Sequence, residues 1–100
     1  MDLSSFVDMQ LRALERINSP GWRAPGEPRW LSGNELEERH FAPQRKATRN
    51  IARAVVNVIL NQPSNEPLLQ EALEKLSESR WRLHFQIAFY KAKKRLESAT

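Results

Sequence analysis

The chain contains no cysteine, which excludes disulfide bridges, thiol catalysis and every zinc site that uses a cysteine ligand. Its two histidines, His40 and His84, belong to no H-E-x-x-H or similar metal-binding pattern. No run of about 18 apolar residues is present that could cross a membrane. The first 17 residues mix aspartates into their apolar positions, unlike a secretory signal. We therefore expect a cytoplasmic protein without a metal or cofactor.

The patterns of common active sites are also missing. The three glycines are dispersed among prolines and tryptophans, so they form neither a phosphate-binding loop nor a dinucleotide fingerprint. Glu37 and Glu38 are adjacent, and adjacent helical residues point about 100° apart, so they cannot act as a carboxylate pair. We expect a protein that is not an enzyme and has no small-molecule substrate.

What remains is the composition of an ordinary globular domain. With 100 residues, 40% hydrophobic and 28% charged, the chain can bury a core and is long enough for a single domain, residues 1–100. Its apolar residues recur at helical spacing, and no stretch alternates as a strand does. The sequence predicts an all-α fold with four helices at about 3–17, 33–41, 44–61 and 66–96.

Residues at the helix ends favour these boundaries. Asp2 can cap the first helix through its side-chain oxygen. Ser32 and Glu35 match the S-x-x-E capping box, which predicts the start of the second helix. Pro43 is expected to end that helix, because proline lacks the N–H group and clashes with the preceding turn.

The segment 20–32 is predicted to be an irregular loop. It is rich in proline and glycine, which do not sustain a helix interior. It also contains Trp22 and Trp30, two of the three tryptophans. Because each indole can bury about 150–250 Å², both are expected to hold the loop against the domain.

The last predicted helix is too long for a compact domain of this size. Residues 66–96 would form a rod of about 45 Å, whereas a 100-residue globule has a radius of gyration near 13 Å. The helix must either break near Ser77–Ser79 or project from the domain. The sequence leaves both possibilities open.

The C-terminal half of this helix carries two apolar rows where one would suffice for a small domain. One row continues through Leu83, Ile87 and Tyr90, and the other consists of Trp81, Phe85, Ala88, Phe89, Ala92 and Leu96. Aromatic side chains at this spacing form a core or, when exposed beside arginines, anchor an interface. The sequence thus allows either a core role or a partner-binding surface made of Trp81, Phe85, Phe89, Arg80 and Arg82.

Positive charge is concentrated in the second half of the chain. The net charge is +4, and residues 44–100 carry eleven basic and five acidic side chains. The basic run at Lys91–Arg95 has a simple explanation, since cations complement the dipole at a helix C-terminus.

A second basic cluster lies at the start of the third helix. Arg45, Arg49 and Arg53 recur every four residues, and with Lys46 they form a basic face that could follow a phosphate backbone. The alternatives are a solvated helix face or a contact with an acidic protein.

These observations predict a small intracellular regulatory protein that acts by protein–protein interaction. It would block or bridge a partner through one helix face, or associate with itself as a homodimer. The alternative is a basic accessory protein that binds nucleic acid through Arg45, Lys46, Arg49 and Arg53.

Overall fold

The computed structural model describes residues 2–62 and 66–98, and within these ranges every regular element is helical. The elements are α1 (Leu3–Ile17), α2 (Asn34–Leu36), a π-helical segment (Glu37–Phe41), α3 (Ala42–Leu60), α4 (Glu66–Glu78) and α5 (Arg82–Ser98). The predicted all-α fold is confirmed, and α1 has its predicted bounds. Within the same ranges no helix is long and apolar enough to span a membrane.

Asp2 caps α1 as predicted. Its Oδ1 accepts a hydrogen bond from the Ser5 N–H at 2.7 Å. This bond favours the ionised carboxylate and holds the pKa of Asp2 below its usual value. At the other end of α1, the Gln44 side chain donates to the Ile17 carbonyl at 2.9 Å, so α3 satisfies a group that the end of α1 leaves open.

The second and third predicted helices form one continuous helical stretch. The π-helical segment joins α2 to α3, and the Ala42 N–H donates to the carbonyl of Glu37, five residues earlier. Pro43 therefore does not end a helix, contrary to the prediction. A π turn widens the helix just before the proline, which makes room for a ring that would otherwise meet the carbonyl four residues back.

The predicted capping box at Ser32 and Glu35 does not form. The cap position of α2 falls on Gly33, which has a positive φ of 57° and no side chain to cap with. Ser32 contributes its backbone carbonyl instead, which accepts a hydrogen bond from the Glu35 N–H at 3.2 Å.

The long predicted helix breaks at residues 79–81, so the first of the two alternatives is the one observed. The Ser79 hydroxyl donates to the Leu76 carbonyl at 2.8 Å and accepts from the Trp81 N–H at 3.2 Å. These bonds satisfy backbone groups that the break would leave without helical partners. Because of the break, α5 contacts both α3 and α4 instead of projecting from the domain.

The core lies between α1, α3, α4 and α5. Helix α1 contacts α3 and α4, and α5 also contacts both of these helices. Phe85 is the largest of the fully buried side chains. The buried apolar residues of the core are Leu3, Val7, Leu14, Ala52, Val55, Val56, Ile59, Ala72, Leu76, Trp81, Phe85 and Ala92.

Only one of the two loop tryptophans is held against the domain. The half-buried Trp22 ring lies 5.6 Å from the His40 ring, measured between centroids. Trp30 is 87% exposed, so the prediction that it holds the loop is wrong. The loop is anchored earlier, at the buried Ala24 and at Glu27, and the residues that follow are not drawn into the core.

A buried polar pair joins this loop to the π-helical segment. Both carboxylate oxygens of Glu27 lie 3.0 Å from Nδ1 of His40, and the Ala24 N–H donates to Oε2 of Glu27 at 2.7 Å. A carboxylate only accepts, so the proton of the pair sits on Nδ1. Burial works to raise the pKa of Glu27, but the hydrogen bonds from His40 and Ala24 outweigh it and hold the pKa below the ordinary value of 4.5.

We predict that Glu27→Gln destabilises the domain at neutral pH and that the loss shrinks in acid. Because the folded pKa of Glu27 is lowered, its ionised form stabilises the fold fully above about pH 4.5, and that contribution disappears as pH falls through the folded pKa. Urea unfolding of both proteins between pH 7 and pH 3, monitored by circular dichroism, measures the difference.

Glu38→Gln is the matched control, because the exposed Glu38 side chain makes no hydrogen bond or ion pair with the described residues. It should follow the native protein at every pH. A constant difference between Glu27→Gln and the native protein down to pH 3 would contradict a stabilising role for the ionised Glu27 carboxylate.

We predict that Phe85→Ala and Leu83→Ala, two residues apart on α5, have very different effects on stability. Phe85 is 2% exposed, and its truncation should cost about 3–5 kcal/mol. Leu83 is 63% exposed, and its truncation should change stability by about 0.5 kcal/mol or less. Urea unfolding at pH 7 tests both; equal losses would contradict the orientation of α5.

Candidate binding surfaces

Trp81 and Phe85, the central residues of the predicted partner-binding surface, lie in the core. Trp81 is 7% exposed, and Phe89 is half-buried against the same core. The Trp81 Nε1 atom finds no acceptor among the described residues, so packing holds the indole in place. Trp81 and Phe85 therefore have the core role, and Phe89 packs against them with part of its ring left accessible.

The two arginines of that predicted surface border the core. Arg80 is exposed, and its guanidinium carbon lies 4.6 Å from the centroid of the Trp81 ring, a cation–π distance. Arg82 is exposed at the first residue of α5. Neither arginine lies beside an exposed aromatic ring of the predicted set.

The other apolar row of α5 faces outward. Leu83, Ile87 and Tyr90 are 63%, 54% and 60% exposed, and their spacing places them on one side of the helix, opposite Phe85 and Ala92. These three residues are termed the outer row. The sequence indicated that the core needs only one of the two apolar rows, but helical spacing did not show which, because both rows have it. The row with Trp81 and Phe85 is the buried one, and its larger aromatic area gains more free energy from burial.

The outer row lies on a strongly basic helix. Helix α5 carries five basic side chains, namely Arg82, Lys91, Lys93, Lys94 and Arg95, and one acidic side chain, Glu97. The Lys94 ammonium lies 4.9 Å from the centroid of the Tyr90 ring. The apolar surface is therefore bordered by cations.

The predicted basic face of α3 is divided. Arg45 makes an ion pair with Glu37 of the π-helical segment. Their hydrogen bond lowers the pKa of Glu37 and raises the pKa of Arg45. Lys46, Arg49 and Arg53 are all exposed, and Arg49 and Arg53 line a cavity between α3 and α5.

Arg49 and Arg53 line a groove between α3 and α5. Three overlapping cavities of about 170, 360 and 260 Å³ follow this groove. Ala52 and Ala88 lie between its walls. The cations along it are Arg49 and Arg53 from α3 and Lys91, Lys94 and Arg95 from α5, and these five define the basic groove.

The two walls of the basic groove run in the same direction. Arg49 shares a cavity with His84 near one end, and Leu60 shares a cavity with Leu96 near the other. Residue numbers therefore rise together along α3 and α5, so the helices are parallel. From residue 49 to residue 60 the groove is about 17 Å long at 1.5 Å per residue.

The charge of the basic groove is largely uncompensated. No carboxylate lines any of its three cavities. Arg49, Arg53 and Lys91 form no ion pair within residues 2–62 and 66–98. Sequence reasoning missed half of this site, because two clusters about forty residues apart meet only through the packing of α5 on α3.

The histidines have separate surroundings. His40 is held by Glu27, and the His84 ring lines the basic groove 5.9 Å from the Trp81 ring. In the part of the chain that the structure describes, no group of three histidine, aspartate or glutamate side chains could hold a metal ion.

Comparison of the chain with family models, with curated proteins and with solved structures finds no match. The features of the chain that bear on its function are the outer row and the basic groove.

Proposed function

We propose that this chain is a small cytoplasmic, non-enzymatic regulatory protein that binds a partner protein through the outer row of α5. The proposal rests on the exposure of three large apolar side chains on one face of a helix whose opposite face is in the core. Contiguous exposed apolar surface of this kind marks interaction sites, because leaving it in water is unfavourable.

The positive charge around the outer row indicates what kind of partner can bind there. Five cations and one carboxylate on α5 favour a partner whose apolar side chains are edged by aspartate or glutamate. Leu83, Ile87 and Tyr90 extend over two helical turns, which matches the i, i+3, i+4 and i+7 anchors of an amphipathic helix. We therefore propose an acidic amphipathic helix as the occupant.

A second copy of the chain is a less favourable occupant. Two α5 helices laid face to face would bring ten basic side chains together with only two acidic ones. Like charges across an interface disfavour association. A homodimer accordingly stays a prediction, and sedimentation equilibrium of the purified chain measures it.

In the proposed regulation, the chain acts by covering one face of the partner's helix. A helix bound along the outer row is covered on one face, so it can no longer present that face to another protein. The chain would in this way block a partner. It would bridge two partners if the basic groove held a second one at the same time.

We predict that Leu83→Asp abolishes binding of an acidic amphipathic peptide. The probe is a 20-residue helical peptide with leucines on one face and glutamates on the other. Leu83 is exposed, so the variant should fold normally while its new carboxylate opposes both the apolar contact and the acidic rim. Titration calorimetry should show a loss of affinity of about 30-fold or more, as for a binding hot spot.

Two controls distinguish binding at the outer row from nonspecific binding. Met9→Asp removes an exposed apolar side chain from α1 and should leave the affinity unchanged. A peptide with lysines in place of the glutamates should bind weakly to every variant. Equal binding of both peptides, or equal losses in both variants, would overturn the proposal.

A further inference from the structure

We infer that the basic groove between α3 and α5 binds a single strand of nucleic acid by its phosphate backbone. This site goes beyond the proposed protein–protein function, and it meets the outer row only at Ile87, which lines one of its three cavities. Leu83 and Tyr90 line none of these cavities, and Arg49 and Arg53 belong to a different helix from the outer row.

The groove concentrates the kind of charge that a phosphate backbone needs. Five cations lie along about 17 Å of the groove, and a nucleic-acid strand carries one negative charge on every nucleotide. Three of the five are arginines, whose planar guanidinium groups bind phosphate oxygens in pairs.

These cations are available for an external anion. Arg49, Arg53 and Lys91 have no ion-pair partner among the described residues, and no carboxylate lines the three cavities. Arg45, by contrast, is already neutralised by Glu37. The site is thus built from the second half of the basic face of α3 together with the end of α5.

The shape of the groove favours one strand over a duplex. The axes of packed helices lie about 8–10 Å apart, so the furrow along their line of contact is only about as wide as one extended chain. The small side chains of Ala52 and Ala88 keep the centre of the groove open. A duplex is too wide to enter and would contact only the rims.

The decisive measurement is the fluorescence anisotropy of a labelled 12-nucleotide single-stranded DNA titrated with the purified chain. If all five cations contact phosphates, raising the salt from 50 to 200 mM should weaken binding about 100-fold. Arg49→Glu with Arg53→Glu should weaken binding at 50 mM at least tenfold and reduce this salt effect to about 20-fold.

The matched control is Arg12→Glu with Arg16→Glu, which makes the same change of charge at the same spacing on α1. Both arginines are exposed, and α1 contacts α3 and α4. If net charge alone attracted the DNA, the two double variants would lose equal affinity, and the groove would not be the site. Thermal melting by circular dichroism confirms that each variant is folded, and Arg49→Ala with Arg53→Ala replaces the glutamate variant if that one is not.

Further probes assign the ligand class and separate this site from the outer row. The same sequence as a duplex should bind more weakly than the single strand. Leu83→Asp should bind the single strand as the native chain does, whatever its effect on peptide binding. Polyglutamate that binds as tightly as DNA, and loses affinity in the Arg49/Arg53 variants, would overturn the inference in favour of an acidic polypeptide. Absence of DNA binding at 50 mM salt would overturn it outright.

Discussion

The burial of Trp81 and Phe85 decides which surfaces α5 has left to offer. Burial of these rings fixes the rotation of α5 about its own axis. In this orientation the outer row faces solvent, and Lys91 and Arg95 lie beside α3. The break at residues 79–81 is the condition for this, because a straight continuation of α4 could not bring α5 alongside α3. Both candidate binding surfaces therefore depend on the same packing contact.

A second constraint acts at the other end of α3. The Glu27–His40 pair holds a loop rich in proline and glycine, which has little regular backbone hydrogen bonding of its own. His40 can reach Glu27 from within the π-helical segment, and that segment also accommodates Pro43 in a continuous helix. The same irregular turn thus holds the loop through His40 and leads into the helix that contains Pro43. Polar contacts between Glu27, His40 and Ala24 join the loop to the π-helical segment.

The sequence predicts the local features of this fold well and the long-range ones poorly. Helical periodicity, the cap at Asp2 and the alternative of a break near Ser77–Ser79 all depend on neighbouring residues, and the structure confirms them. Pro43 misled the prediction because the rule against proline in helices assumes α-helical hydrogen bonding. The capping box misled the prediction because Gly33, the residue after Ser32, occupies the cap position.

For the candidate surfaces too, the local features were predictable from the sequence and the long-range ones were not. Surplus apolar area on α5 could be counted from the sequence, but both rows have helical spacing, and which of them is buried depends also on what α3 and α4 present to each. Arg49 and Arg53 were recognisable as a basic pair. Their union with Lys91 and Arg95 could not be foreseen, since no local pattern records that α3 and α5 are parallel.

The parallel arrangement of α3 and α5 has a consequence for any chain molecule that lies between them. In an antiparallel pair, each end of the groove would combine one helix start with one helix end, and the two ends would resemble each other. Here one end combines Arg49 with His84, and the other combines Leu60 with Leu96. The groove is therefore directional: a polymer whose own two ends differ meets a different environment in each orientation, and the two orientations cannot be equal in energy.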